Sequence, residues 1–552
     1  MSRGWSILKR FVLIFLGLIL TLLAWFFYVI QLPEPELKNL KIEEADLIKV
    51  NDSTFSYKDA WLRKNEWGLW EMYISGSPEE LGVKNGILAQ ELIKIQEEAF
   101  VNQIEKMIPS PSYLKFLKYI TSFLNKDLPD YIPEEYLREI KAVSLFASED
   151  FKEIGSNYAR ILNYHAAHDI GHAMQNLHLV ECTAFGVREG RSVDSSLLIG
   201  RNFDFYVGDE FAKNKIVLFV NPEKGYSFAS ITWGGMIGVV SGINEQGLSI
   251  TLNSAKSEIP LFSKTPVSII AREILQYASN IEEAYEIAKR HPSFVAESFM
   301  IGSSRDLDMA IIEKTPDTTI LFQSETDRTI LTNHFQSPAL SETEINQENM
   351  AENVTSYRYE RVEELLEEKT MFNVNDFAQI LRDTKGKNRT DIGLGNEGAV
   401  NQLIAHHSII FKPEQKSFWI STFPYQLGAY LAYDLDSIFR NPAFRVESRS
   451  VSENIIPADT AFLNSNFPKF LEFKEETLKL LNNEMVDVEK VIQSNPNYFY
   501  TYELLGDYML EQGMYQESTY YYQESLKYFI PNQYEMNRIE NKLEEVLSIK
   551  YP

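Results

Sequence analysis

The residues best suited to chemistry lie within one short stretch, residues 178–206. It contains Cys182, the only cysteine among 552 residues, and Arg201 follows 19 residues later in the segment Arg201-Asn202-Phe203-Asp204. A turn-rich gap and a second apolar run separate the two, which predicts a strand–turn–strand hairpin. A cation beside a thiol favours the thiolate, and a carboxylate can orient a proton acceptor. Pairing of the two strands would bring Cys182, Arg201 and Asp204 to one end of a sheet.

The residues of this hairpin leave two interpretations open. Free cysteine is among the most frequently buried residue types, so Cys182 can be a small core hydrophobe. A lone cysteine is also a weak sign of catalysis without a further signature. On composition and spacing alone, the structural interpretation is favoured.

Changes in composition and hydrophobic periodicity along the chain predict how it is organised. We divide it into an N-terminal segment with an apolar run (1–31), a polar stalk (32–60), a helical segment (61–181), a domain of short strands with intervening helices (182–425), a connector (426–470) and a helical tail (471–552). Periodicity alone predicts the α+β class for the central part.

Composition excludes some functions. The net charge of −25 argues against nucleic acid and against a broad surface for anionic membranes. A single cysteine also excludes an intramolecular disulfide.

The N-terminal apolar run predicts a membrane anchor. Residues 11–30 carry no charge and are long enough to cross a hydrocarbon core of about 30 Å as a helix. Arg3, Lys9 and Arg10 precede the run, so the positive-inside rule places the N-terminus in the cytoplasm and the rest of the chain outside it. A cleaved signal peptide is the alternative, but bulky aromatic residues end the run where small ones are usual.

Three histidines close the helical segment. His165, His168 and His172 have the spacing of one helix face and could share a metal ion. No acidic or cysteine cluster accompanies them, so we predict a polar helix face and no metal site.

Several segments together resemble a known family. The runs VECTAFGV (180–187) and GRNFDF (200–205) resemble the start of the mature subunit in cysteine-type N-terminal nucleophile hydrolases, in particular the acyl-coenzyme A:6-aminopenicillanic acid acyltransferase family. Further matching positions are GSPEELGVKNG (76–86), Trp233-Gly234-Gly235, GINEQGL (242–248), Asn253, Asn333 and Arg358. Taken singly, the turn at 244–247, the two asparagines and the arginine each have an ordinary structural interpretation.

The resemblance implies a fold and a set of roles. The fold is a four-layer αββα sandwich preceded by a helical pro-segment (61–181), with 182–425 as the catalytic domain. Self-cleavage between Glu181 and Cys182 frees Cys182 as nucleophile, with its own α-amine as base. Asp204 would hold that amine, Arg201 and Arg358 would fix Asp204, and Asn253 and Asn333 would stabilise the oxyanion. Phe203 and Trp233 are the candidates for substrate contact.

The resemblance also implies the kind of substrate. It is a small-molecule or lipid-like linear amide, with an acyl-acceptor amine if the acyl group is transferred to an amine, and no cofactor is implied. Glu181 departs from the smaller or amide residue expected before the nucleophile.

Two other functions stay open. The first is a non-enzymatic envelope scaffold that acts through its tail, where residues near Tyr502, Gly506 and Tyr522 have the spacing of one tetratricopeptide unit. That tail, 471–548, is a candidate for a protein partner or for self-association. The second is a papain-like protease, which needs a partner histidine, and no histidine has a recognisable context, although His334 adjoins Asn333.

Overall fold

The structure is a computed structural model. It describes residues 2–38, 40, 42, 46–107, 110–166, 180–206, 208–258, 263–440 and 454–550. His168 and His172 lie outside the described residues.

The strands of the described residues form two sheets. The strands are β1 Leu47–Asn51, β2 Thr54–Tyr57, β3 Ala60–Lys64, β4 Trp70–Gly76, β5 Val180–Val187, β6 Leu198–Phe205, β7 Ile216–Pro222, β8 Phe228–Thr232, β9 Ser241–Asn244, β10 Leu248–Ser254, β11 Glu297–Ser303, β12 Asp308–Lys314, β13 Thr319–Phe322, β14 Arg328–Leu331, β15 His407–Lys412, β16 Ser417–Ser421 and β17 Tyr430–Asp434.

Helices precede, separate and follow these strands. They are α1 Ser2–Val29, α2 Pro78–Leu88, α3 Gln90–Met107, α4 Pro111–Leu124, α5 Glu134–Ser144, α6 Asn157–His165, α7 Asp209–Lys213, α8 Val267–Tyr277, α9 Ile281–Arg290, α10 Glu344–Glu352, α11 Thr355–Glu367, α12 Val374–Leu381, α13 Leu435–Arg440, α14 Thr460–Leu481, α15 Val488–Ser494, α16 Phe499–Glu511, α17 Tyr515–Ser525 and α18 Gln533–Lys550. Short 3-10 helices lie at Leu128–Tyr131, Glu149–Phe151, Glu189–Arg191, Lys387–Arg389 and Pro413–Gln415.

The two sheets contain eleven and six strands. The larger has the order β1-β2-β3-β4-β7-β8-β9-β10-β11-β12-β13, and the smaller has the order β14-β5-β6-β15-β16-β17. Neighbouring strands pair antiparallel except β4 and β7, which are parallel.

The sheets stack face to face between two helical layers. A buried cluster that includes Ile231, Ile311 and Ile409 fills the space between them. A second cluster packs α8 and α9 with α2, α5 and α6 on the outer face of the larger sheet, and a third packs α11 and α12 on the smaller sheet. The predicted four-layer αββα sandwich is therefore confirmed.

The predicted stalk and the predicted all-helical segment need correction. The strands β1 and β2 lie within residues 32–60, and β3 and β4 open residues 61–181, so both segments contribute to the larger sheet. Residues Leu32, Leu37 and Leu40 also pack against the core. Proline, glutamate and lysine dominate the start of this region and led to the stalk prediction, although the short runs IKVN and TFSY alternate apolar and polar residues as strands do.

The predicted connector, 426–470, also needs correction. It contains β17, which pairs with β16 at the edge of the smaller sheet, followed by α13 and the first half of α14. The sandwich therefore continues beyond residue 425.

The GSPEELGVKNG segment forms a tightly packed helix start. The Ser77 side chain accepts from the Glu80 amide, and the Glu80 carboxylate accepts from the Ser77 amide, a capping box that begins α2. A Cβ on Gly82 would lie 2.3 Å from the backbone oxygen of Glu139 in α5. Glycine at that position is therefore what allows α2 and α5 to touch.

The first helix meets the folded body at its C-terminal end. Arg10–Val29 is the one stretch among the described helices that is long and apolar enough to cross a membrane. Near its end, Phe26 stacks on Phe123 with ring centroids 5.9 Å apart, and Phe27 meets Tyr119 edge-on at 5.9 Å. The helix therefore ends against α4.

The helical tail is docked onto the sandwich. Asn495 exchanges two hydrogen bonds with the Leu394 backbone, at 2.9 and 2.8 Å, and Phe529 lies 4.3 Å from the Tyr357 ring centroid. Within the tail, α16 and α17 form a helical hairpin in which a Cβ on Gly506 would lie 2.5 Å from the Tyr522 ring. The prediction that the tail is helical is confirmed, while the assignment of this hairpin to the tetratricopeptide class remains a prediction.

Candidate active site

The hairpin predicted around Cys182 is present and sets the geometry of the site. In the antiparallel pair of β5 and β6, Cys182 lies opposite Phe203, Glu181 opposite Asp204, and Ala184 opposite Arg201. Opposed residues share a face and successive residues alternate, so Cys182 and Arg201 face the space between the sheets. Glu181 and Asp204 face the helical layer on the other side. The predicted shared sheet end is therefore observed, but Arg201 and Asp204 lie on opposite faces of it.

On the inner face, Arg201 contacts the thiol directly. Its Nη2 donates to the Cys182 Sγ at 3.3 Å and to the Leu252 carbonyl. Its Nη1 donates to the Val240 carbonyl at 2.8 Å and to the Ser241 Oγ at 2.6 Å. Both Arg201 and Cys182 are fully buried, so this cation acts on the sulfur without screening by solvent.

On the outer face, Arg358 of α11 contacts the Cys182 carbonyl and the side chains of both neighbouring residues, Glu181 and Thr183. Its Nη1 donates to the Cys182 carbonyl at 2.8 Å and to the Thr183 Oγ1 at 2.9 Å. Its Nη2 donates to the Glu181 carboxylate and to the Asn333 Oδ1, both at 2.8 Å. One guanidinium therefore fixes the two residues that flank the predicted cleavage point.

Asn333 holds the amide nitrogen of the predicted nucleophile. The Cys182 N–H donates to the Asn333 Oδ1 at 3.2 Å. The Asn333 Nδ2 uses both of its hydrogens on Ser254, at 3.0 Å to the carbonyl and 2.7 Å to the Oγ. Because its oxygen faces two donors, the Cys182 N–H and Arg358, the orientation of this amide is fixed.

Asn253 is close to the site but is engaged elsewhere. Its Nδ2 donates to the carbonyls of Leu331 and Thr332, at 3.0 and 3.2 Å. An amide nitrogen has two hydrogens, so neither Asn253 nor Asn333 has a free donor for an oxyanion in this arrangement. In the uncleaved chain, the side chains of Asn253 and Asn333 are therefore not arranged to stabilise an oxyanion as predicted.

Asp204 is buried and has no hydrogen-bond partner for either carboxyl oxygen among the described residues. Burial raises its pKa to about 8, an effect opposed by Arg358 and reinforced by Glu181. The described hydrogen bonds of Arg201 and Arg358 go to groups other than Asp204, so the predicted fixing of Asp204 by these arginines acts here through charge and not through a direct contact.

The thiol itself is held in its neutral form. Burial raises the pKa of Cys182 to about 11, although Arg201 opposes the increase, and the buried carboxylates Asp204 and Glu297 add to it. A group that accepts the thiol proton is therefore needed before this sulfur can act as a nucleophile near neutral pH.

Aromatic side chains pack beside the sulfur. Phe203 and Trp233, the residues predicted to contact substrate, belong to one buried cluster with Cys182, Phe205 and Phe211. The Arg201 guanidinium lies 4.3 Å from the Phe203 ring centroid, within the range of a cation–π interaction. This cluster forms an apolar wall on the inner side of the thiol.

The histidine at the end of α6 has a structural role. His165 Nδ1 lies 2.8 Å from the Ile161 carbonyl, and its Nε2 accepts from the Ile237 amide at 2.9 Å. With both ring nitrogens committed to backbone groups, His165 is not available as a metal ligand. The described residues contain no group of three or more side chains suited to hold a metal ion.

Sequence reasoning missed several polar residues of this region. His407 starts β15 opposite Phe203, which brings it and His406 behind Arg201. Gln402 donates to the Glu181 carboxylate at 3.3 Å. The available signal was the pair of adjacent histidines just before a predicted strand, but only the pairing of that strand with β6 gives them a place.

The comparison with known protein families matches the region that contains most of these motifs. Residues 191–421 match the family described as acyl-coenzyme A:6-aminopenicillanic acid acyl-transferase. The predicted family resemblance is confirmed. The matched range contains Arg201, Asp204, Asn253, Asn333 and Arg358, and it begins after Cys182.

The individual relatives of this chain are distant. An uncharacterized protein of Archaeoglobus fulgidus is 24% identical over 45% of this chain and 44% of its own length, and protein dcd1B of Dictyostelium discoideum is 21% identical over 46% and 52%. The chain thus spans about half the length of the curated relatives it matches. Among solved structures, the Caenorhabditis elegans ortholog of N-acylethanolamine-hydrolyzing acid amidase is 14% identical, with a TM-score of 0.31 over 42% of this chain and 93% of its own.

Proposed function

We propose that this chain is a membrane-anchored, self-processing cysteine hydrolase or acyltransferase of the N-terminal nucleophile type that acts on linear amides. The observation that carries the proposal is the way residue 182 is held. Arg201 contacts its sulfur, Asn333 accepts from its amide nitrogen, and Arg358 donates to its carbonyl oxygen. A buried core cysteine has no need of three such partners.

The first stage is cleavage between Glu181 and Cys182. The Cys182 Sγ attacks the Glu181 carbonyl carbon, the C–N bond breaks, and the thiol proton passes to the departing nitrogen. Water then hydrolyses the resulting thioester, which leaves a carboxylate on Glu181 and a free α-amine and thiol on Cys182. Arg358 supports this step because it holds the Glu181 side chain and the Cys182 carbonyl in one geometry.

The second stage uses the new α-amine as the base for the thiol. A free α-amine has an ordinary pKa of about 7.7–8.0, well placed to take the thiol proton near neutral pH. The Asn333 Oδ1, which lies 3.2 Å from this nitrogen, would orient the amine. Asp204, buried without a hydrogen-bond partner among the described residues, would supply its counter-charge.

Turnover then follows from a covalent acyl-enzyme. The thiolate attacks the substrate amide carbon, the substrate amine leaves with a proton from the α-ammonium, and a thioester forms on Cys182. Water completes hydrolysis, or a second amine completes acyl transfer. Backbone N–H groups near Cys182 would stabilise the oxyanion, with Asn253 and Asn333 joining them once released from their present acceptors.

The acyl group would lie against the buried aromatic cluster that includes Phe203 and Trp233. An apolar wall of this kind favours an apolar or aromatic acyl group. The substrate is therefore a small or lipid-like amide, and no cofactor takes part in the proposed steps.

The anchor would place this chemistry at a membrane. Arg10–Val29 has the length and apolarity of a single span, with the basic residues on its N-terminal side. The proposed topology leaves the N-terminus in the cytoplasm and the sandwich on the other side. The docked tail, 471–548, is the surface proposed for a partner or for self-association.

The test is the intact mass and N-terminal sequence of the purified full chain and of Cys182→Ala. We expect the unmodified chain to give a fragment that begins Cys182-Thr183-Ala184 and the variant to stay whole. Ser249→Ala, a buried serine change outside the contacts of Cys182, is the matched control and should be cut normally. A whole chain in every sample would favour the alternative, a non-enzymatic scaffold with the tail as its working surface.

A further inference from the structure

A row of polar side chains continues behind Arg201, away from the sulfur. Ser241 of β9 accepts from the Arg201 Nη1 at 2.6 Å, and its Oγ lies 2.9 Å from the His407 Nε2. The His407 Nδ1 in turn lies 2.9 Å from the His406 Nδ1. All of these side chains are fully buried, and the row crosses from the smaller sheet to the larger one.

Counting donors gives each bond a direction. Arginine has only donors, so Ser241 must accept from Arg201, and its single hydroxyl proton is left for His407. His407 then accepts at Nε2 and carries its proton on Nδ1, which donates to the His406 Nδ1. This proton arrangement gives every bond of the row one donor and one acceptor, and both imidazoles are neutral in it.

The charges around the row keep it in that arrangement. Burial holds the pKa of His407 well below its usual range, and the neighbouring His406, Arg201 and Lys215 lower it further. Burial likewise lowers the pKa of His406, with Lys215 and Arg201 adding to the effect. Because both imidazoles stay neutral, each ring keeps one nitrogen that can accept, and in His407 this nitrogen can be the Nε2 that faces Ser241.

We propose that Ser241 and His407 are positioning residues that hold the Arg201 guanidinium in the orientation in which its Nη2 contacts the Cys182 sulfur. This inference deepens the proposed function and rests on its choice of Cys182 as nucleophile. The guanidinium is planar, so fixing Nη1 also fixes where Nη2 points. Apart from the Cys182 sulfur and the Phe203 ring, the other Arg201 contacts go to backbone carbonyls, so Ser241 is the hydrogen-bonding side chain that fixes Nη1.

The test is the rate of Cys182 alkylation by iodoacetamide as a function of pH, followed by intact mass of the full chain. Cys182 is the only cysteine, so each added group reports on this thiol. Access of the reagent scales the rate at every pH alike, whereas the midpoint of the profile reports ionisation. The variants are Ser241→Ala, His407→Phe and His407→Gln, and the last of these keeps an acceptor.

We expect Ser241→Ala and His407→Phe to raise the midpoint by about one pH unit and to slow alkylation near neutral pH about tenfold, since an adjacent arginine lowers the pKa of an acidic group such as a carboxyl by about 1–3 units. His407→Gln should move the midpoint by less than half as much. Ser249→Ala, a buried serine on β10 whose hydroxyl bonds the Gly302 carbonyl, is the matched control and should not move it. Thermal unfolding of each variant checks that it is folded.

A midpoint in Ser241→Ala equal to that of Ser249→Ala would overturn the proposal. Ser241→Ala removes one oxygen atom, so it keeps the test valid if His407→Phe does not fold. The readout needs neither cleavage nor turnover. If the chain is never cleaved but Ser241→Ala shifts the midpoint, the proposed function is contradicted and the positioning role is supported. If the chain is cleaved but Ser241→Ala does not shift the midpoint, the proposed function is supported and the positioning role is overturned.

Discussion

The buried carboxyl of Asp204 offers a prediction that separates a functional group from a structural one. Neither of its oxygens has a hydrogen-bond partner among the described residues, and burial raises its pKa to about 8 from an ordinary 3.8. Asp204→Asn keeps the shape of the side chain and removes its ability to ionise. We therefore expect this variant to be more stable than its parent and less active.

The size of the stability gain follows from the pKa difference. Each pKa unit corresponds to about 1.36 kcal/mol. Because the folded pKa is the higher one, the stability linked to this carboxyl is full below about pH 4 and is lost as the pH rises toward 8. Near pH 7, about three pH units above the ordinary pKa, the folded state has lost about 4 kcal/mol of this stability. Asp204→Asn should therefore gain about that much free energy of unfolding at pH 7 and almost nothing near pH 4.

The assay is urea denaturation at both pH values in a Cys182→Ala background, where no cleavage can supply an α-amine. Asp317→Asn, at an exposed turn, is the control and should show no pH-dependent gain. In the cleavable chain, Asp204→Asn should slow amide turnover about a hundredfold, the scale of a lost acid–base partner. Loss of stability near pH 7 in Asp204→Asn would refute the argument, because it would mean that the charged carboxylate supports the fold.

Three further variants test how the site is supported. Gly82→Ala should lower the unfolding free energy by about 1–3 kcal/mol in denaturant titrations, because its Cβ would lie 2.3 Å from a backbone oxygen of α5, while Gly190→Ala, with open space around it, should change little. Arg358→Lys should slow the appearance of the cleaved fragment at least tenfold on a time course, because a point charge cannot keep four bonds in one plane. Phe529→Ala should expose the tail to limited proteolysis and cost about 2 kcal/mol, because its ring packs on Tyr357.

The motifs predicted the site hairpin well. The small and apolar residues after Cys182, the turn-rich gap and the second apolar run are local signals, and the observed strands Val180–Val187 and Leu198–Phe205 follow them closely. Asn244 is a similar case, since its Oδ1 accepts from the amides of Gln246 and Leu248 and makes the turn that its neighbours predict.

Long-range pairing was not predictable from such signals. The parallel pairing of β4 with β7 joins residues about 145 positions apart, and no local pattern specifies it. The same limit applies to the site. Alternation puts Arg201 and Asp204 on opposite faces, but only the positions of Arg358 and Ser241 show what each face contacts. The row from Ser241 to His406 joins residues of both sheets, so it could be recognised only once the packing of the two sheets was known.

Glu181 departs from the smaller or amide residue expected before the nucleophile, and its contacts give this departure a physical meaning. In the uncleaved chain its carboxylate occupies Arg358 and raises the pKa of Asp204, which Arg358 alone would lower. We infer that the proposed cleavage frees the Glu181 end to move away from Arg358, which would remove the repulsion and release the arginine. Asp204 then ionises more readily, at the moment when a new α-ammonium needs a counter-charge. Glu181 thus adds to the burial that keeps Asp204 protonated before cleavage, and its movement away would favour the charged carboxylate afterwards.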